Sequence, residues 1–490
     1  MTEQHSRVNP NLLLAVLGVA GLAYAVLSAI VIPALPTLQH DLHTSETGVT
    51  WVMTAYLIAA SIGTSILGRL GDMYGKQRVL VWTMVFLTIG TLLAAVAQSL
   101  AVLVIARALQ GAAGGIYPLA FGIVRDEFPR ERIAGSIGLL SAILGVGGGA
   151  GIVTSGLIID GLSWHWLFWL PLIVTVAAAF ATWRFVPESP MRVPGRVNWL
   201  AALVMAIGIS AALLAVSETT VWGWGSVKTI GLLAAGLAVC GIWIAIEVRS
   251  REPLVDMTMM RIRGVWTTNA AAFLLGAGMY ASFIIIPQFA QLPKSTGFGY
   301  GASIVVSGLY LLPATMAMMV MSLLAGRISV RFGSRNSLIT GSAVSMCAFL
   351  ELLIFGHHSA ELLIAAAGIG VGIGLAFAAL GNLIVGAVPP QQTGIASGMN
   401  TVMRLLGGAI GGQLSATFIA GHVLHDLPTV TGFTETFAVS AAFLAVCTAA
   451  SLLVPRQSLR AESAPSGQRP PAPRAALASV GDGTAETVQS

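Results

Sequence analysis

Fourteen apolar runs dominate the chain, at 12–34, 49–70, 79–98, 102–124, 134–158, 165–186, 197–217, 228–247, 265–290, 302–324, 337–356, 360–387, 395–420 and 435–454. Each is close to the roughly 20 residues that a helix needs to cross a hydrocarbon layer about 30 Å thick. None alternates with a period of two, which argues against a membrane barrel. A soluble globule would carry about a quarter of its residues as charges, whereas here 9% are charged and 56% are hydrophobic. The 56 glycines suit close helix–helix approach in lipid. The first run is too long for a signal-peptide core and no small-residue cleavage site with a soluble domain follows it, so it reads as a retained span.

The basic residues fix the topology. With the N-terminus inside, the inner segments hold 21 of the 25 lysines and arginines, and the outer loops hold only Lys228 and Lys294. Arg107 and Arg404 remain, both within spans. Removing one span would scramble this alternation, so the positive-inside rule predicts fourteen spans with both termini cytoplasmic. The formal net charge of +5 then reflects topology, not a nucleic-acid partner.

The sequence also repeats. GRLGDMYGK at 68–76 is echoed by GRISVRFGS at 326–334, an offset of 258 residues. Gly145, Gly149 and Gly156 in the fifth run correspond to Gly407, Gly411 and Gly412 in the thirteenth. The predicted organisation is a cytoplasmic N-terminus (1–11), a six-helix bundle (12–186), an inserted helix pair (197–247), a second six-helix bundle (265–455) and a disordered tail (456–490) rich in Pro, Ser and Ala. Repeated helical halves imply a site between them near the bilayer midplane and a rocking motion.

Several polar residues stand out. Asp72 can face the N-terminal amides of a helix or pair with Arg69, Lys76 or Arg78. Either arrangement can latch one conformation, although an ordinary basic loop with one acid has the same composition. The second copy has Val330 in place of Asp72. Arg107 lies about five residues into its run, and an embedded arginine costs roughly 2.5–3.5 kcal/mol unless it finds a wet cavity, a partner or the interface. Arg404 lies about nine residues into its run, roughly 14 Å deep, where snorkelling is hard. Tyr24, Asn269, Tyr280, Gln288, Tyr310, Asn382 and Asn400 are candidates to line a cavity, and each serves equally as a helix–helix hydrogen bond. Asp41, Asp160, Glu351 and Glu435 fall near outer ends, so the central region carries positive charge without a matching acid.

Seven histidines, His40, His43, His165, His357, His358, His422 and His425, lie in outer segments with Asp41 and Asp426, where solvated loops are the simpler reading than a metal site or pH sensor. No metal site is predicted. Cys240, Cys347 and Cys447 fall inside apolar runs as small buried residues.

The stretch 68–76 resembles the signature loop G-x-L-x-D-x-x-G-[RK] of the major facilitator superfamily. RALQGAAGG (107–115) resembles that family's fourth-helix motif, and GLSWHWLFWLP the start of its sixth helix. With fourteen spans, the chain up to about 455 resembles the drug:proton antiporter branch of EmrB/QacA type. The resemblance implies a major facilitator fold. It implies that Gly68, Asp72, Gly75, Lys76 and Arg78 form a conformational latch. It also implies that Arg107, with Gln110, takes part in proton coupling and that Gly111 permits close packing. Arg404 joins the coupling candidates. Two departures follow: Ile152 and Ser155 stand where the branch carries a proline and a glycine, and Leu27 stands where it often carries a first-helix aspartate.

No G-x-x-x-x-G-K-[ST] segment occurs, so the expected energy source is a gradient, with protons implied by the resemblance and no cofactor. The expectation is a secondary exporter of drug-like or metabolite amphiphiles, neutral or acidic ones favoured. It would work as a monomer in a bacterial plasma membrane with no nucleic-acid partner. An exporter of a lipid or cell-envelope component is the alternative. A receptor or scaffold is a further one, and no catalytic cluster supports an enzyme.

Overall fold

The runs are apolar around their whole circumference, and in lipid each backbone polar group must bond within its own segment, so the chain folds as helices. The computed structural model describes residues 9–189, 197–250, 252–355, 358–424 and 427–456, apart from the side chains of 46, 47, 220, 280, 281, 283, 284, 304, 305, 330, 355 and 424. The tail beyond 456 and the residues His357, His425 and Asp426 lie outside the described residues, as do the side chains of Tyr280 and Val330.

The long helices are α1 (Pro10–Asp41), α2 (Glu46–Tyr74), α3 (Lys76–Ala95), α4 (Leu100–Glu127), α5 (Arg130–Gly161), α6 (Trp166–Phe185), α7 (Trp199–Ser217), α8 (Val227–Arg249), α9 (Arg263–Gln291), α10 (Leu312–Phe332), α11 (Ser334–Phe355), α12 (Ser359–Gly386), α13 (Thr393–Gly421) and α14 (Val430–Ser451). Among the described residues, thirteen helical segments are long and apolar enough to cross a membrane. The exception is α9, which is 29 residues long but has several side chains outside the description. Between α13 and α14 lies a two-residue antiparallel ribbon, Val423–Leu424 against Leu427–Pro428.

Local chemistry shapes the helices. A 3-10 turn at Ile32–Ala34 interrupts α1 beside Pro33. Another at Ala113–Gly115 interrupts α4 within its small-residue run. By contrast α5, with Ile152 in the proline position, is an uninterrupted 32-residue helix. Ser45, Ser99 and Asn198 cap α2, α4 and α7 by accepting backbone N–H bonds. Gly75 and Gly333 turn the chain between α2 and α3 and between α10 and α11 with φ of +109° and +86°, a backbone that favours glycine.

Two large buried clusters form the core. One joins α1–α6 to α7, to Leu254–Val265 and to the first half of α13. The other is built from α9–α14. Helices meet at small residues: a methyl on Gly111 would strike the Tyr56 carbonyl, and methyls on Gly407 and Gly411 would strike the carbonyls of Phe273 and Ala277 on α9. Gly145 and Gly149 face Met318 and Thr315 on α10. Gly156 is buried in α5. Cys240 is half-buried, Cys347 exposed and Cys447 buried, and all three are free thiols.

Candidate functional site

The ends of α2, α4, α6, α8 and α10 carry the basic residues, and here the two sequence copies touch. Gly68 on α2 packs against Gly394 on α13 so closely that a methyl on either would lie 2.6 Å from the other's carbonyl oxygen. One turn on, Asp72 is buried and its carboxylate accepts from the backbone N–H of Gly394 (3.4 Å) and Ile395 (3.2 Å). These are orphan donors in the first turn of α13, where an anion is favoured by roughly 0.3–2 kcal/mol.

Lys76 Nζ is 3.8 Å from Asp72 but 2.5 Å from Asp126 Oδ2 at the end of α4. Ser189 also donates to Asp126, and Arg78 pairs with Glu188 at 3.2 Å. Arg125 donates to Thr393 Oγ1 (2.7 Å) and to the Val388 carbonyl (2.9 Å). A second crossing lies where the repeat places it: Gly326 on α10 meets Gly135 on α5, and Asn382 Nδ2 donates to the Ala134 carbonyl at 3.4 Å.

Arg107 is fully buried on α4 and does not reach the interface. Its Nη1 donates to Gln110 Oε1 (2.7 Å) and to the Leu27 carbonyl (2.9 Å), and its Nε to the Val52 carbonyl (3.4 Å). The Tyr56 ring covers it at 4.3 Å. Gln110 continues to Thr91 Oγ1 at 3.2 Å. A guanidinium can be held this way because carbonyl dipoles and an aromatic face supply partial negative charge. At Leu27, where the resembled branch often carries an aspartate, the chain offers a backbone carbonyl.

Arg404 lies eleven residues past the start of α13. Its guanidinium sits 4.6 Å from the Phe377 ring and lines a narrow central cleft with Tyr117, Phe121, Ser141, Ser397, Asn400 and Thr401. The cleft volume is about 10 Å³, room for about one water. No Asp or Glu lines it among the described residues.

The other cavity candidates divide. Asn400 lines the cleft and also donates to Asn269 Oδ1 (3.0 Å) and to the Thr268 carbonyl (3.3 Å), which makes Asn269 a helix–helix partner. Tyr24 stacks on Tyr56 with ring centroids 6.0 Å apart and meets Tyr117 edge-on. Asn382 lies beside the cleft in the second crossing. Two lie apart from this cleft. Gln288 is exposed, and Tyr310 stacks on Tyr300 at the opposite end of the helices. Helix periodicity assigns a face but not a depth, so the sequence alone did not separate them.

Asp126, Tyr56, Tyr117 and Phe377 join these sites without a motif to mark them. The one available signal was the basic loop at 68–78, which needs acids to bury Lys76. Among the described residues no group of three or more His, Cys, Asp or Glu could hold a metal. The outer histidines make local contacts instead, such as His422 with Glu435 at 3.5 Å.

Long apolar helices, an acid–amide crossing at one end and an arginine in a narrow polar cleft define a membrane transporter. The chain belongs to the Major Facilitator Superfamily, whose family model matches residues 17–412. It is 28% identical to the Multidrug resistance protein Stp of Mycobacterium tuberculosis, over 82% of this chain and 74% of that protein. It is 27% identical to Multidrug resistance protein 3 of Bacillus subtilis, over 75% and 71%. It is 26% identical to the Tetracenomycin C resistance and export protein of Streptomyces glaucescens, over 86% and 77%. The crystal structure of the human organic anion transporter MFSD10 superposes with a TM-score of 0.66 over 90% of this chain and all of that one, at 14% identity, a likeness of fold alone.

Proposed function

We propose that the chain is a fourteen-span exporter of EmrB/QacA type, with α9 as the fourteenth span. It would drive drug-like or secondary-metabolite amphiphiles out of the cell against a proton gradient by alternating access. Residues 12–186 and 265–455 are the two moving bundles, and 197–247 is the inserted pair. The basic end faces the cytoplasm of a bacterial plasma membrane, and both chain ends lie there. The observation that carries this reading is the bond from Asp72 to the first turn of α13, which joins the two sequence copies at one end of the cleft. In this conformation that end is shut, and the latch is Gly68, Asp72, Gly75, Lys76 and Arg78. The names of the relatives support the cargo class.

The cleft supports a charge preference. Arg404 supplies a cation beside aromatic and hydroxyl groups, and no described carboxylate lines the cleft to receive a lipophilic cation. Neutral or acidic amphiphiles are therefore favoured. Arg107, Gln110 and Arg404 are the coupling candidates. Guanidinium groups keep their charge in proteins, so they do not release the proton themselves, and an acidic cargo is the anion they can answer to.

Efflux from cells with and without a proton uncoupler, comparing the native chain with Asp72→Asn, tests the reading. The uncoupler and the substitution are each expected to abolish accumulation against a gradient. Efflux indifferent to both would overturn the proposal. Clear preference for ethidium-like cations over acidic polyketide-like compounds would overturn the charge assignment alone.

A further inference from the structure

Glu247 sits in the last turn of α8, in the inserted helix pair, and is 2% exposed. Few carboxylates are buried this deeply without a task, because an unsatisfied buried charge is costly. Here one oxygen accepts from Trp243 Nε1 (3.0 Å) and the other from the backbone N–H of Leu254 (2.8 Å). The bond to Leu254 crosses from the helix to the linker that follows it. It seats Leu254 and Val255, both essentially unexposed, in the buried cluster shared with α2–α4 and the start of α13.

The next residue, Asp256, caps the short helix Met257–Arg261. Its Oδ2 also accepts from Gln392 Nε2 at 3.3 Å, and Gln392 is the N-cap residue of α13. On the other side, Arg69 of the latch loop lies within electrostatic reach of Glu247. Its buried Nε has no hydrogen-bond partner among the described residues. The first turn of α13 is therefore held at four successive residues: Gln392 by Asp256, Thr393 by Arg125, and Gly394 and Ile395 by Asp72.

We infer that the inserted helix pair is part of the gate: through Glu247, the seated Leu254–Val255 linker and Asp256, it fastens the same turn of α13 that Asp72 holds. Glu247 and Asp256 are positioning residues and touch no cargo. The inserted pair is then a clamp on the cytoplasmic closure, not a passive spacer. This rests on the alternating-access reading above, since a gate requires an open state.

The test reads the conformational equilibrium directly and needs no known substrate. Ser397, 2% exposed beside the latch and lining the cleft, becomes a reporter as Ser397→Cys in a chain whose Cys240, Cys347 and Cys447 are replaced by Ala. Maleimide labelling is followed from the basic end in membrane vesicles. Asp256→Asn and Gln392→Ala, both on partly exposed residues that folding tolerates, are each expected to speed labelling about threefold. The double variant should be no faster than either single one. Glu247→Gln should act in the same direction and more strongly; if it fails to fold, Trp243→Phe, which removes the other bond to Glu247, takes its place, and no change with either would overturn the role of the inserted pair. Labelling that responds to Asp72→Asn but not to Asp256→Asn or Gln392→Ala would overturn the clamp. So would additive effects of those two. Labelling indifferent even to Asp72→Asn would instead sink the alternating-access reading.

Discussion

The two crossings at the basic end are made from equivalent parts of a repeated sequence and are held in different ways. At both, a glycine on one helix meets the backbone of a helix from the other copy: Gly68 against Gly394, and Gly326 against Gly135. The turns that follow are also alike, with Gly75 and Gly333 both at positive φ. The polar bonds differ. The first crossing has a buried acid on two amides and an arginine on Thr393 and Val388. The second has a neutral amide, Asn382, with one bond of 3.4 Å. Its nearby Arg335 donates to the Ser451 and Leu452 carbonyls at the end of α14, within its own copy. Gly68 and Gly326 are thus equally close to the opposing backbone, but only the first contact is reciprocal, since a methyl on Gly135 would meet open space, and charge is concentrated on that same side. A closure of this kind can be set by one crossing while the other follows.

The largest effects should come from the steric part, where Gly68 and Gly326 are equally close to the backbone they face. Gly68→Val and Gly326→Val each place a methyl-bearing carbon within 2.6 Å of opposing backbone. Overpacking of this kind costs about 1–3 kcal/mol, so both should speed labelling of Ser397→Cys by tens of fold. An effect at only one would break the symmetry. Next, Asp72→Asn keeps the shape and removes the charge. It should speed labelling about tenfold, within the range for an anion at a partly buried helix N-terminus.

Smaller effects separate the remaining bonds. Arg125→Gln should speed labelling about fivefold, because it loses two charge-assisted bonds. Asn382→Ala should change it by about threefold, near the average of 0.6 kcal/mol for hydrogen bonds between membrane helices. Equal effects would remove the asymmetry. The smallest effect expected is that of pH on the Asp256 bond. Burial raises the pKa of this carboxyl, but hydrogen bonds from Thr258, Met259 and Gln392 outweigh it and hold the value below the ordinary aspartate range. A carboxyl with a depressed folded pKa contributes stability that is present above its unfolded value and lost as pH falls through the folded one. The difference in labelling between the native chain and Asp256→Asn should therefore stay constant from pH 5 to 8, and a decline across that range would show that other groups hold the bond.

Much of the architecture was legible because lipid enforces a simple pattern, with long apolar runs and basic loops on alternate sides. What escaped was mostly a matter of a residue or two. Hydropathy starts the thirteenth run at 395, but the helix begins at Thr393. Those two residues place the Gly394 and Ile395 amides opposite Asp72. Amides at a helix start were one of the partners that Asp72 could have, yet nothing in the sequence said which helix. Asp126 sits within RDE at 125–127, which reads as an inner-loop charge run until Lys76 is seen to need a buried partner. Arg107 could be flagged as expensive and Gln110 as its neighbour, but the rest of its remedy is backbone carbonyls, which have no signature in side-chain identity. Gln288 and Tyr310 lie apart from the cleft, because helix periodicity sets a face and not a depth.

The unbroken α5 has a mechanical consequence. At 1.5 Å per residue its 32 residues make a rod about 48 Å long, well over the roughly 30 Å of hydrocarbon around it. It carries no proline to kink it, and in this conformation its glycine run at 145–151 stays helical. A rod of that length, tilted as one body by about ten degrees around its middle, swings each tip by about 4 Å. That displacement exceeds what any bond at its basic tip can stretch, so a modest lean at the centre suffices to part the contact between Gly135 and Gly326.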